Sequence, residues 1–181
     1  IRGDYEIYQT GSRVFIERYL GPGGEVLIPG YLNGNPVVYI ADAFSNRTDV
    51  TSVTFPGTVT EIGPHAFEDC TNLTRVTIPD SVTAIHESAF CNCSRLTRIA
   101  IPESVKKIEH MAFAYCKQLA RVSLNPGLLG IDDSAFSHCE SLVTISFPYT
   151  VTRIGRAFDG CLRLGMLEIP SRVTNLSGNL G

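Results

Sequence analysis

The sequence predicts an α/β solenoid, with short parallel strands on one face, short helical turns or loops on the other, and an N-terminal β-hairpin cap. Three observations carry that expectation. Apolar-proline pairs at Phe55-Pro56, Ile78-Pro79, Ile101-Pro102, Phe147-Pro148 and Ile169-Pro170 recur at intervals of 23, 23, 46 and 22 residues, with Leu124-Asn125 midway through the double interval. Whole apolar columns recur with the same period. Position one holds Val50, Leu73, Leu96, Leu119, Leu142 and Leu164; position four Val53, Val76, Ile99, Val122, Ile145 and Leu167; position ten Val59, Val82, Val105, Leu128, Val151 and Val173; position thirteen Ile62, Ile85, Ile108, Ile131, Ile154 and Leu176. Finally, 181 residues with no Trp, 16 Gly and 10 Pro point to many turns rather than long helices.

A single 23-residue unit has too few apolar groups to close a core, whereas stacked units bury each column against its copies above and below. In the unit beginning at Leu73, the alternation Val76-x-Ile78 fits a short strand. Pro79 then withholds a ladder donor and ends it. The β-branched Val82-x-x-Ile85 segment suggests a second, looser strand. Ala89-Phe90-x-x-Cys93 has helix-like spacing over about one turn, which predicts a short helical turn on the outer side.

Ahead of the array, Tyr5-Glu6-Ile7-Tyr8 and Val14-Phe15-Ile16 flank a Gly-containing turn and read as a hairpin over residues 1–24 that caps the first coil. Residues 25–49 read as an atypical first repeat, with Asn33-Gly34-Asn35 inserted and a reduced Ala43-Phe44 corner. Residues 50–181 form the array, its last unit incomplete: Ser177-Gly178-Asn179-Leu180-Gly181 supplies no Ala-Phe and no Cys. The apolar last coil is expected to meet further sequence or a partner. The start at Ile1-Arg2-Gly3-Asp4, without Met, reads as a mature or excised piece of a longer precursor.

The chain carries 15 Lys plus Arg against 18 Asp plus Glu, a net charge of −3, which lacks the basic excess of a nucleic-acid binder. No apolar run reaches the length of a membrane span.

The unit L-T-x-V-x-I-P-x-x-V-x-x-I-x-x-x-A-F-x-x-C resembles the BspA-like leucine-rich repeat family over residues 50 to 176, and Val26-Leu27-Ile28-Pro29 to Val37 resembles the coil that opens such arrays. The resemblance implies a right-handed leucine-rich-repeat superhelix from bacterial or protist cell-surface or secreted proteins. It implies adhesion and the binding of host or matrix components, with no catalytic residues. Asn125 in place of Pro, and one residue fewer between Gly155 and Ala157, depart from the pattern.

Among candidate sites, Cys70, Cys93, Cys116, Cys139 and Cys161 share a column and read as stacked, buried free thiols rather than disulfides or metal ligands. Cys91 stands outside that column and is expected to be the more exposed. His65, His86, His110 and His138 form no column and read as structural. No cofactor or metal is implied. Asn46, Asn72, Asn92 and Asn175 head glycosylation sequons, read as polar corners, and Arg2-Gly3-Asp4 is too short a match to rely on.

The most informative column is position three: Ser52, Arg75, Arg98, Arg121, Thr144 and Met166, directed outward where Val76 and Ile78 point in. Three stacked arginines depart from the small polar residues usual there. Their plainer role is to cover apolar surface and pair with Asp80 and Glu103; their functional role is to hold an acidic or carboxylate-rich ligand. Beside them Thr54, Thr77, Ala100, Ser123 and Ser146 at position five form a flat strip. Flat repeat faces suit macromolecules. The sequence therefore predicts a non-enzymatic module that binds a protein through Ser52, Thr54, Arg75, Thr77, Arg98, Ala100, Arg121, Ser123, Thr144 and Ser146. Carbohydrate is an alternative ligand, although no aromatic platform lies in these columns. A structural stalk and an undetected hydrolase with a deep titratable cleft are the readings from other classes; nucleic acid ranks below them.

Overall fold

The computed structural model describes residues 3–177. Strands β1 (Tyr5–Thr10) and β2 (Arg13–Tyr19) form the expected antiparallel hairpin, turning through Gly11 at φ 55°. Strands β3 (Gly24–Leu27), β4 (Tyr31–Leu32) and β5 (Asn35–Ile40) follow. The Asn33-Gly34 insertion is a tight turn joining β4 to β5, with both residues left-handed at φ 55° and 75°. That is the Asn-Gly preference of a twisted two-residue hairpin.

Each later coil then contributes one strand to the first face and a two-residue strand to the second. These are β6 (Val50–Thr54) and β7 (Glu61–Ile62), β8 (Arg75–Thr77) and β9 (Ala84–Ile85), β10 (Arg98–Ile101) and β11 (Lys107–Ile108), β12 (Arg121–Leu124) and β13 (Gly130–Ile131). The last two coils keep only second-face strands, β14 (Arg153–Ile154) and β15 (Asn175–Leu176).

Copies of a column meet in parallel register. Ile16, Ile40, Ile62, Ile85, Ile108, Ile131, Ile154 and Leu176 are successive partners along the second face. The result is a β-solenoid of about seven turns. On the first face β3, β6 and β8 form one sheet and β10 and β12 another. Beyond β12 that ladder shrinks to the Arg121–Thr144 bridge. Where Pro would follow Leu124, Asn125 instead donates its side-chain amide to the Ile101 carbonyl, so the departure from the repeat is compensated by a bond between coils.

The α component of the expected class is corrected: no α-helix occurs among the described residues. Four corners hold two left-handed residues each, His65 and Asp69, Ser88 and Asn92, Met111 and Tyr115, and Ser134 and His138, all with φ between 54° and 59°, and the first and last corners hold one, Asn46 and Gly160. An L-residue in that conformation costs about 1–2 kcal/mol, and a helix cannot run through it. The backbone bonds compensate. The N–H of Phe67 donates forward to Ala89 O at 2.8 Å, whereas that of Cys70 donates back to Phe67 O at 3.2 Å. Ala, Phe and Cys point inward from this alternating turn, so they reproduce helix-like spacing without a helix.

Inside the corners runs a stack of buried rings: Phe44, Phe67, Phe90, Phe113, Phe136 and Phe158, with adjacent centroids 4.8 to 5.6 Å apart. The thiol column has a chemical reason. Cys70, Cys93, Cys116, Cys139 and Cys161 donate to the carbonyls of Phe44, Phe67, Phe90, Phe113 and Phe136 one coil earlier, at 3.0 to 3.3 Å. A small apolar group with a weak donor suits that position. All six thiols are free and buried. That includes Cys91, which is 5% exposed, contrary to the expected exposure.

Burial pushes the Cys70 thiol up to about 12 and that of Cys91 to about 11, and raises Cys93 and Cys116 as well. Unfolded thiols ionise near 9, so this stabilisation is complete below pH 9 and is lost as pH rises from there through the native values. The urea midpoint should fall between pH 8 and about 11. Native thiols should resist a thiol-specific reagent until the chain unfolds; rapid modification of the folded protein would contradict their burial.

One coil is shorter at Gly155. A Cβ there would lie 2.6 Å from the Asp133 nitrogen and 2.9 Å from the Asp132 carbonyl carbon, both backbone atoms. Gly155→Ala should therefore cost about 1–3 kcal/mol by overpacking, read from chemical denaturation. An unchanged midpoint would show that the corner can relax.

Candidate functional site: the arginine-lined strand face

Alternation on the first face buries Val53, Val76, Ile78, Ile99 and Ile101 and turns position three outward. Register places Ser52 beside Arg75, Arg98 beside Arg121, and Arg121 beside Thr144. The three arginines and Thr144 are exposed, and Ser52 is half-buried. Thr54, Thr77, Ala100, Ser123 and Ser146 are exposed alongside them. All ten sequence-predicted residues thus occupy one face.

Tall arginines beside short side chains leave a trench. A groove of about 530 Å³ is lined by Arg75, Thr77, Arg98, Ala100, Arg121 and Ser123, with Val76, Ile78 and Ile99 also contributing to its lining. It gives way to a groove of about 390 Å³ between Ala120 and Ser146, then to one of about 310 Å³ bordered by Thr144, Ser146, Met166 and Glu168. The surroundings of the first groove are therefore cationic at the rim and hydroxylic along one side, over the buried Val76, Ile78 and Ile99.

The expected pairing of the ridge with Asp80 and Glu103 is not found. Among the described residues no carboxylate lies within ion-pair distance of Arg75, Arg98 or Arg121. The cations that are paired lie elsewhere, such as Lys107 on Asp132 at 2.6 Å and Lys117 on Glu140 at 3.3 Å. In a chain of net charge −3 the ridge is a local reversal of sign. Acidic groups bracket it, since Glu25 is the register partner of Ser52 and Glu168 borders the far groove.

The histidines are engaged structurally. His86 lies between Glu61 at 3.0 Å and Glu109 at 3.4 Å, His65 meets Glu68 at 2.9 Å, His110 contacts the Asp133 carbonyl, and His138 stacks on Tyr115. No group of three or more His, Cys, Asp or Glu side chains among the described residues is arranged to hold a metal. No helix among them is long and apolar enough to cross a membrane. The sequon amides of Asn72 and Asn92 donate to Thr48 O and Asp69 Oδ1, as befits polar corners. Arg2 of the opening tripeptide and residues 178–181 lie outside the described residues.

Sequence reasoning missed the groove itself, because alternation alone does not show how tall arginines beside short side chains shape the face. It also passed over Glu168, which the repeat register places at position five. The other omission was Arg47, whose guanidinium holds the cap rather than a ligand.

The profile of the BspA type Leucine rich repeat region matches in six copies, over residues 40–164 and 131–180. Among solved structures, the T. pallidum Leucine Rich Repeat protein is 29% identical with a TM-score of 0.73, covering 90% of this chain and 89% of that one. A leucine rich cell surface protein from Faecalibacterium prausnitzii is 32% identical with a TM-score of 0.67, over 92% of this chain and 53% of its own. A leucine-rich repeat protein from Bacteroides ovatus is 30% identical with a TM-score of 0.67, over 96% and 54% respectively. This chain thus spans about half the length of the latter two. No curated protein matches. With its repeat columns, parallel rungs and profile in agreement, the chain belongs to the BspA-type leucine-rich repeat family.

Proposed function

We propose that this chain is a non-catalytic binding module of a surface or secreted protein, and that its strand face engages a protein partner. Its members are generally protein-interaction modules, and the Faecalibacterium relative is described as a cell surface protein. The observation that carries the site is the ridge itself: Arg75, Arg98 and Arg121 on successive coils, exposed and, among the described residues, with no carboxylate at ion-pair distance. Two unit charges one rung apart repel by only about 1 kcal/mol in water, so the fold tolerates the ridge. Tolerance gives no stability in return, whereas forked guanidinium groups are well suited to partner carboxylates. Ser52, Thr54, Thr77, Ala100, Ser123, Thr144 and Ser146 would form the flat surround. Carbohydrate is the weaker reading because none of these residues is aromatic.

Immobilised protein should capture partners that are released as salt rises from about 50 mM to about 500 mM, because ions screen exposed charge pairs. Capture indifferent to salt would remove the ridge from the interface.

A further inference from the structure

Resting on the reading of the strand face as a protein-binding surface, we infer that the face selects a segment whose short acidic stretch is flanked on both sides by Lys or Arg. The order of charges along the face carries this. Glu25, Ser52 and Arg75 are successive register partners in one three-stranded sheet, so the first acid lies two strands, about 9.6 Å, from the first cation. Arg75, Arg98 and Arg121 border one groove. Beyond them the Arg121–Thr144 bridge leads to the far groove, which Thr144, Met166 and Glu168 share. From end to end the face therefore presents acid, neutral, three cations, neutral, acid.

Glu25 and Glu168 are exposed, and among the described residues neither has a cation at ion-pair distance. The separation at the Glu25 end exceeds the Debye length of about 8 Å at physiological salt, so the acid leaves the ridge cationic and meets a ligand as a separate charge. Each end also holds a large apolar side chain in solvent. Leu27 lies two residues after Glu25 on the same outward side of β3 and is 74% exposed; Met166 lies two residues before Glu168 and is 99% exposed. A Lys or Arg covers an apolar neighbour with its stem while its charged head reaches an acid. Leu27 beside Glu25, and Met166 beside Glu168, supply both halves of that contact.

The same order rejects other occupants. A continuous polyanion meets an acid at each end, and a second copy laid face to face about a two-fold axis through the ridge sets arginine against arginine.

Fluorescence anisotropy with three labelled peptides of equal length, each long enough to reach from Glu25 to Glu168, tests this. The first has a central Glu run with Lys at both ends, the second has the same composition with Lys central and Glu at the ends, and the third is polyglutamate. The first should bind about tenfold more tightly than either of the others. Glu25→Lys/Glu168→Lys alters two exposed side chains and should leave the melting temperature unchanged while reversing the order in favour of polyglutamate. Either control binding the unaltered protein as tightly as the first peptide, or an unchanged order in the variant, would overturn the flanked ligand. If no peptide binds while salt-sensitive capture persists, that ligand is wrong and the binding face stands; capture indifferent to salt would remove the face itself.

Discussion

Replacing Phe113 with Ala is expected to lower the unfolding free energy by about 3–5 kcal/mol, the usual cost of truncating a buried aromatic ring. Phe113 is fully buried between Phe90, at 5.4 Å and 3°, and Phe136, at 5.5 Å and 7°. Each stacked pair contributes about 0.5–1.5 kcal/mol beyond area burial. The neighbouring coils cannot collapse into the space because backbone bonds hold the corner: Phe113 N–H donates to Ala135 O at 2.8 Å, and its carbonyl accepts the Cys139 thiol. Phe113→Leu should cost less, since it leaves a smaller cavity. Urea denaturation reads both; a loss under about 1 kcal/mol for the Ala variant would mean that the ring column does not hold the coils together.

Arg47→Ala should be the second large loss, about 2–4 kcal/mol. One guanidinium donates to both Asp49 oxygens at 2.8 Å, to Tyr19 O at 2.8 Å and to Gly21 O at 2.7 Å, and sits 4.9 Å from the Tyr19 ring centroid. The side chain thus ties the end of the hairpin to the first corner of the array. Asp49 is half exposed, so the ion pair contributes little; the larger share comes from backbone carbonyls left without a donor. Arg47→Lys should rescue only part, because an ammonium cannot reproduce the fork. Amide exchange should quicken first over residues 5–20. Protection unchanged there, with loss elsewhere, would contradict a cap-holding role.

The coil stacking was legible because each column is a nearest-neighbour repeat: Ile62, Ile85, Ile108, Ile131 and Ile154 announce their contacts by recurring. The corner was misread because inward spacing does not distinguish a helical turn from one with two left-handed residues. His65, Ser88, Met111 and Ser134, which occupy the first of those positions, share no composition that would mark it. The placement of the candidate site was legible to the level of a face, since alternation alone turns Arg75, Arg98 and Arg121 outward. Its lack of ion pairs was not, because Asp80 and Glu103 are near in sequence and only the fold shows that they make no ion pair with the ridge. Arg47 was missed because its partners Tyr19 and Gly21 are 28 and 26 residues away and follow no repeat.

The central claim is that the arginine ridge serves a partner and not the fold. Thermal unfolding and salt-sensitive capture measured together on Arg98→Glu/Arg121→Glu test it most directly. The stability should stay within about 0.5 kcal/mol of the unaltered protein, as for substitutions that break no packing or pairing, while the salt-sensitive partners are lost. A variant that unfolds by more than about 2 kcal/mol more easily yet keeps those partners would show that the ridge is structural and that the binding surface lies elsewhere.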